Sequence, residues 1–267
     1  YSNEEIINRM KILKELTLSS SAFSPNIILW PEAPLPILYN DLKDSFYKEI
    51  LEDIPKSSSL VTGTFYKDGD FIYNSIINVS AQANNIYNKK HLVPFGEFLP
   101  FKNVIGGIYE SLGLNIYDIK NGDTRNSLKI SNYTAHPLIC YESIFSFESL
   151  VIDKDTDFIL NVSNDGWFGD NSLAPYQHLD ALVMRSLENQ RYSIRSTNTG
   201  ISAIITPDGT IADFIKYNER GYINKEIYAR NGQTPLSKYG YDIIYFFLFT
   251  VFLYSTIYFN FNSLKRS

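Results

Sequence analysis

The chain has 267 residues, a net charge of −5 and 15% aromatic residues, with 20 Tyr and 18 Phe. The length suits one α/β domain of roughly 200–250 residues, and the acidic balance excludes the basic footprint of a nucleic-acid binder. The single cysteine, Cys140, excludes an internal disulfide, and a lone cysteine is in general more often a small buried residue than a nucleophile.

Ser2 and Glu5 read as a capping box, and Ile6, Met10, Leu13 and Leu16 form one apolar stripe, so a helix opens the chain. This abrupt start leads us to expect a segment before Tyr1. Residues 27–30 make a short apolar strand ending at Pro31. Residues 60–66 and 71–79 flank Asp68-Gly69, a hairpin signal. Residues 86–93 read as a strand interrupted by charge, and 100–127 as a long loop, a length that is usually functional and often a lid. Residues 128–133 and 135–140 form a strand pair, and 158–162 a strand apolar enough to be buried on both faces. Residues 178–189 are helical, 201–206 and 210–215 flank the turn Pro207-Asp208-Gly209, and 222–227 make a last strand. Strand, helix and hairpin together predict an α/β fold with mixed sheets.

Residues 243–259 (IIYFFLFTVFLYSTIYF) carry no charge. With Tyr241 and Phe261 extending the run into the interfaces, residues 241–261 are expected to span a membrane. Lys265 and Arg266 in the tail 262–267 would face the cytoplasm, with the domain 1–235 on the opposite side.

Three groups able to do chemistry stand where strand-like runs end: Glu32 after Trp30-Pro31, Lys89 after Ile86-Tyr87-Asn88, and Cys140 after Pro137-Leu138-Ile139. Strand ends are where α/β ligand sites gather. A thiol attacks a carbonyl as its thiolate. An ammonium at Lys89 would favour that anion, and Glu32 could take the proton and later return it. Lys89 and the backbone N–H of Tyr141 are candidate stabilisers of the oxyanion that attack creates. No metal-binding spacing is evident, and no cofactor is called for.

Trp30-Pro31-Glu32, the run Tyr87-Asn88-Lys89-Lys90-His91-Leu92-Val93-Pro94-Phe95-Gly96-Glu97, and Leu138-Ile139-Cys140-Tyr141-Glu142 resemble the motifs of the nitrilase, or carbon–nitrogen hydrolase, superfamily. More closely they resemble its apolipoprotein N-acyltransferase branch, as do Ser163-Asn164-Asp165-Gly166-Trp167-Phe168-Gly169-Asp170 and Arg195-Ser196-Thr197-Asn198-Thr199-Gly200. The resemblance implies an αββα sandwich followed by one C-terminal membrane helix. It also implies a Glu32–Lys89–Cys140 triad, supporting roles for Glu97, Tyr141 and Glu142, and Trp167 as a wall of the acyl site. Glu142 is expected to stay charged and orient the lysine. The implied reaction moves an acyl chain from a phospholipid to Cys140 as a thioester, then to the N-terminal amine of a lipid-modified cysteine on an apolipoprotein. The implied setting is the bacterial inner membrane, with the domain periplasmic and the protein a monomer. The apolar stretch 98–117 could dip into lipid as an entry lid. Family members also carry membrane helices and a first strand ahead of this domain, and a functional tryptophan where Tyr1 stands here. We therefore expect a C-terminal portion of a longer protein.

Three other readings compete. One is a membrane-anchored amidase or nitrilase with water as acceptor. Another is a Cys–His hydrolase drawing on His91, His136 or His178, although His136, four residues from Cys140 along a strand, would lie more than about 10 Å away. The last is a non-catalytic anchored interaction domain in which Cys140 is core.

Overall fold

The computed structural model of the chain describes residues 2–81, 85–101, 119–123, 126–150, 153–169 and 172–264. Tyr1, the tail charges Lys265 and Arg266, and most of the expected lid lie outside them.

Helix α1 (Asn3–Ser21) starts with the expected capping box, the Ser2 hydroxyl accepting from the Glu5 N–H while Glu5 accepts from the Ser2 N–H. It is tied to the first strand, β1 (Ile27–Leu29), by a buried bond from the Trp30 indole N–H to the Thr17 hydroxyl, 2.9 Å. Two short helices follow, α2 (Tyr39–Leu42) and α3 (Phe46–Asp53). The hairpin of β2 (Ser59–Asp68) and β3 (Phe71–Asn78) turns at Gly69-Asp70, where Gly69 takes a φ of +56°. Strand β4 (Ile86–Asn88) pairs with β3, and its three residues end where Lys89 begins. These four strands form one mixed sheet in chain order, with β1 parallel to β2 and the rest antiparallel.

The second sheet has the order β10-β9-β8-β7-β6-β5. Its centre is a parallel set: β6 (Tyr133–Ile139), β7 (Phe158–Ser163) and β8 (Ser193–Thr197). Antiparallel β5 (Leu128–Ile130), β9 (Ser202–Ile205) and β10 (Ile211–Ile215) flank it. Every residue of β7 is buried, as expected of a strand covered on both faces. Pro137 sits in β6 beyond the end of β5, whose pairing stops at Ala135, so its missing N–H breaks no bond to that neighbour.

Three apolar clusters stack these parts into α/β/β/α layers. Val61, Ile76 and Tyr87 of the first sheet meet Ile139, Phe158, Leu160 and Val162 of the second. The outer face of the first sheet (Ile28, Leu60, Ile77) is covered by Met10 and Leu13 of α1 and by Phe46, Tyr47 and Ile50. Helix α4 (Ala174–Asn189) covers the second with Leu179 and Leu182 against Ile159, Ala203 and Ile205. This is the expected nitrilase-like αββα sandwich with mixed sheets.

The expected strand at 222–227 does not form. The segment has no ladder partner among the described residues, and only Ile223 and Ile227 are partly buried. Alternating apolar residues supply a strand's pattern, but a strand also needs a free sheet edge beside it. After helix α5 (Pro235–Tyr239) the chain ends in α6 (Asp242–Leu264). Its stretch Asp242–Phe259 has a mean hydropathy of 1.6 and is not buried against the rest of the protein.

Candidate active site

Glu32 stands three residues beyond β1, and the first sheet is shaped to receive it. Gly63 of β2 donates its N–H to the Pro31 carbonyl, and a Cβ on Gly63 would lie 2.6 Å from the Glu32 Cα. Only glycine allows that approach. The carboxylate is buried and fully engaged. Its Oε1 accepts from the Asn74 amide at 2.7 Å and from Lys89 Nζ at 3.3 Å, and its Oε2 accepts from the Asn164 backbone N–H at 2.7 Å. The Asn198 amide donates to the Glu32 carbonyl at 2.6 Å.

Lys89 is 1% exposed and lies between two carboxylates. Its Nζ is 3.3 Å from Glu32 Oε1 and 2.9 Å from Glu97 Oε2. Glu97 also takes the Val93 N–H at 2.8 Å, which folds the 90–97 loop back on the lysine, and it shares the Asn74 amide with Glu32. Burial disfavours the ammonium, but Glu32, Cys140 and Glu97 outweigh it and raise the Lys89 pKa. Lys89 is therefore a fixed positive charge and not a base.

Cys140 begins a 3₁₀ turn (Cys140–Ile144) directly after β6 and takes a φ of +54°. A left-handed backbone at a residue with a Cβ is strained, and such strain persists where surrounding contacts enforce it. Here the enforcing group is Glu142. Buried in the same turn, it accepts from the Ile139 N–H at 2.7 Å, the Lys90 N–H at 2.7 Å, the His91 N–H at 3.1 Å and the Tyr87 hydroxyl at 3.0 Å. It thus joins the cysteine turn to the lysine loop. Its link to the lysine runs through the backbone N–H groups of Lys90 and His91, directly after Lys89. Burial raises the Glu142 pKa, and these donors and Lys89 only partly offset that. Tyr141 is half-buried, packed edge-on to Phe145 with ring centroids 4.9 Å apart.

The thiol differs from the simple expectation. Burial, and next the Glu32 carboxylate, push the Cys140 pKa up to about 12 from an ordinary 9.0; the Lys89 ammonium pulls the other way without prevailing. Cys140 therefore rests as a thiol.

Beside Cys140 lies a buried cluster of residues to which the sequence assigns no joint role. Donor atoms of Cys140, Asp165 and His178 all lie within 4.8 Å of one another. Asp165 Oδ1 accepts from the Ser163 hydroxyl at 2.7 Å and faces His178 Nδ1 at 3.2 Å, while Oδ2 accepts from Arg195 Nη2 at 2.8 Å. With both carboxylate oxygens engaged and the Arg195 and Lys89 cations close by, the group reads as a hydrogen-bonded network and not as a cation site. Gly200 makes room for it: a Cβ there would lie 1.9 Å from Asp165 Oδ2. Of the three histidines, His178 is thus the one beside the cysteine, not His136. Asn74 was missed as well. It lies with Ser75 and Asn78 among the polar residues of β3, all three buried.

Trp167, on a 3₁₀ turn (Asp165–Phe168) after β7, is 75% exposed, which excludes a core role. It lines a groove of about 1310 Å³, which runs along α1, β1 and residues 218–227. That groove does not include Glu32, Lys89 or Cys140; it comes closest at Pro31, Asn164 and Asn198, which flank Glu32.

Comparison with known proteins places these features in a family. The chain is 37% identical over 254 residues to the apolipoprotein N-acyltransferase of Wigglesworthia glossinidia brevipalpis, covering 92% of this chain and 50% of that protein. It is 36% identical over 231 residues to the apolipoprotein N-acyltransferase of Pasteurella multocida, covering 82% and 44%. The chain spans about half the length of the curated relatives it matches. Among solved structures, a carbon-nitrogen hydrolase from Helicobacter pylori G27 superposes with a TM-score of 0.61 at 13% identity, covering 82% of this chain and 83% of that one. The C. elegans NitFhit protein gives 0.61 at 18% identity, covering 81% and 56%. The carbon-nitrogen hydrolase profile matches residues 13–235, which take in both sheets and every polar group described around Cys140. The chain belongs to the carbon–nitrogen hydrolase family.

Proposed function

We propose that this chain is the catalytic portion of an apolipoprotein N-acyltransferase, with Cys140 as nucleophile, Glu32 as general base and acid, and Lys89 as fixed electrostatic partner. The observation that carries the reading is the burial of Cys140, on a strained turn, in the field of the Glu32–Lys89–Glu97 cluster. The names of the curated relatives give the substrate class.

In the first half-reaction the sulfur attacks the ester carbonyl of a phospholipid. Glu32 takes the S–H proton as the S–C bond forms. The oxyanion faces Lys89 and the backbone N–H of Tyr141. Collapse breaks the C–O bond, and the lysophospholipid oxygen leaves with the proton from Glu32. In the second half-reaction the N-terminal amine of a diacylglyceryl-modified cysteine attacks the thioester. Glu32 accepts a proton from that nitrogen and returns it to the sulfur as the S–C bond breaks. A thiol that rests protonated suits this scheme, because each attack is coupled to proton transfer to a base already in place. Glu97 holds the lysine, and Glu142 holds the cysteine turn. Trp167 forms part of a wall for an acyl chain.

Helix α6 supports a membrane setting, since both substrates are lipids or lipidated. In this reading residues 241–261 cross the bacterial inner membrane, domain 1–235 is periplasmic and the tail 262–267 is cytoplasmic.

The test is incubation of the full-length protein with phospholipid labelled in its acyl chain. A hydroxylamine-labile label on the wild type, absent from Cys140→Ser, supports the thioester. Continued acylation of apolipoprotein by Cys140→Ser would refute it. Release of ammonia from small amides without any lipid requirement would favour the amidase reading.

A further inference from the structure

The two groups proposed to meet the oxyanion come from different sheets. Lys89 follows β4 of the first, and Tyr141 follows β6 of the second by two residues. Ladder bonds fix positions within each sheet, but among the described residues no ladder joins the two sheets. The separation of the Lys89 ammonium and the Tyr141 N–H is therefore set by contacts between loops. The bonds from the Lys90 and His91 N–H groups to Glu142 supply one such contact. The side chain of His91 supplies another.

His91 Nε2 bonds to Glu148 Oε2. A carboxylate only accepts, so this nitrogen carries the hydrogen. The imidazole also stacks on Phe145, with ring centroids 4.7 Å apart and 29° between the planes. Phe145 in turn is the ring that Tyr141 meets edge-on. The receiving segment is well fixed. The Glu148 and Ser149 N–H groups both donate to the Phe145 carbonyl, at 3.1 and 2.9 Å. The Ser149 hydroxyl donates to the Glu142 carbonyl at 3.1 Å, and the Asn189 amide of α4 donates to the Ser149 carbonyl at 3.0 Å. The lysine segment is held on either side of His91 as well. The Lys89 N–H donates to the Asn74 carbonyl at 2.7 Å, and the Val93 N–H donates to Glu97. His91 thus stands midway along a short loop pinned at both ends, and its side chain reaches a pinned turn of the other sheet. The pair adds little to stability, because its side chains are 31% and 27% exposed and water screens them. Its geometry matters more, since a shift of about 1 Å in a reacting group can cost about a hundredfold in rate.

We propose that His91 is a positioning residue for acyl transfer: bonded to Glu148 and stacked on Phe145, it holds the segment after Lys89 against the segment after Cys140, and so fixes the Tyr141 N–H relative to the Lys89 ammonium where the oxyanion forms. Glu142 joins the same two segments through backbone N–H groups, and His91 joins them through a side chain. Glu148 is the other half of this contact. His91 touches no reacting atom and moves no proton. The inference rests on the reading of Cys140 as nucleophile and of Lys89 and Tyr141 as stabilisers of the oxyanion.

The test follows acyl transfer from labelled phospholipid to apolipoprotein by the full-length protein, with His91→Ala, His91→Gln, Glu148→Ala and the double alanine variant compared, and the melting temperature of each measured. His91→Ala lowers kcat at least about tenfold and leaves KM for phospholipid within about twofold, the pattern of an interaction made only in the transition state. Its melting temperature stays within a few degrees of the wild type. Glu148→Ala behaves the same way, and the double variant is no slower than the slower single one, because the two side chains act as one contact. His91→Gln, whose amide nitrogen reaches about as far as Nε2, recovers most of the rate. Wild-type kcat in His91→Ala overturns the proposal. So does a raised KM at unchanged kcat, or losses that multiply in the double variant. A rate loss that tracks a fallen melting temperature and is not recovered by His91→Gln marks a merely structural role and overturns it too. An active Cys140→Ser would sink the proposed reaction itself, whereas cysteine-dependent transfer at the wild-type rate in His91→Ala would sink this inference alone.

Discussion

At the scale of single residues, the decisive balance is between burial and charge at Cys140. Lys89 offers the thiolate a partner, but the same pocket holds Glu32 and excludes water, and the thiol rises from 9.0 to about 12. Three pH units mean about a thousandfold less thiolate at pH 8 than an ordinary cysteine has, so iodoacetamide should label Cys140 about a thousandfold more slowly than a free thiol. Equal rates, read by mass spectrometry, would contradict the burial argument. The same shift bears on stability. A thiol harder to ionise in the folded state than in the unfolded state stabilises the fold fully below the unfolded value near 9, and that stability is lost as pH climbs towards 12. Urea unfolding should show stability falling over that range, and Cys140→Ala should remove this part of the fall. Lys89 is more exacting. Replacing it by Met leaves Glu32 and Glu97 buried without their cation, a change that costs roughly 3–5 kcal/mol in comparable sites. A Lys89→Met protein that melts like the wild type would show that the cluster does not depend on its lysine.

At the scale of elements, the site is made by strand ends, and this is the part the sequence disclosed most clearly. Glu32, Lys89 and Cys140 were each visible because a short apolar run stopped at an ionisable residue, and the structure gathers those three ends. What stayed hidden was whatever joins one element to another. Nothing in the neighbourhood of Asn74 announces that its amide bridges Glu32 and Glu97. Asp165, His178 and Arg195 sit on a turn, a helix and a strand, so no local spacing could disclose their network. The segment 222–227 misled in the opposite sense, because its pattern fits a strand and its surroundings give it no ladder. Glu142 is the joining residue most open to test. Glu142→Gln exchanges one acceptor oxygen for a donor amide facing N–H groups, and each buried N–H left unpaired costs about 1–3 kcal/mol. It should lower the melting temperature and abolish thioester formation together, since the turn and the lysine loop lose their link. Gly63→Ala tests the other side of the site. Its Cβ would press on the Glu32 backbone at 2.6 Å, so activity should fall sharply while overpacking costs about 1–3 kcal/mol. Full activity in that variant would mean that the strand end has slack the packing does not suggest.

At the scale of the whole molecule, the question is what α6 does for a domain whose layers close without it. The helix is 23 residues long, about 35 Å at 1.5 Å per residue, enough to cross a hydrocarbon core of about 30 Å. Phe252 and Tyr254, on successive parts of its surface, are both exposed, so no face of the domain shelters it. Its root, in contrast, is held. The Tyr241 hydroxyl donates to Glu188 of α4 at 3.2 Å, and the Tyr241 ring stacks on Phe147 with centroids 6.3 Å apart. Phe147 lies three residues beyond the cysteine turn, so the root of α6 meets the domain on the segment that follows Cys140. This geometry predicts two separable effects. Ending the chain after Tyr241 removes the apolar helix and keeps the root. The truncated protein should stop floating with liposomes, keep its melting temperature within a few degrees, and retain slow alkylation of Cys140. The double change Tyr241→Ala and Phe147→Ala in the full-length chain should do the opposite, leaving liposome flotation intact while slowing acyl transfer from membrane phospholipid. If the truncated chain still floats with liposomes, another surface holds the domain at the bilayer. If the double variant transfers acyl groups at the wild-type rate, the contact between anchor and cysteine loop serves only to hold the chain.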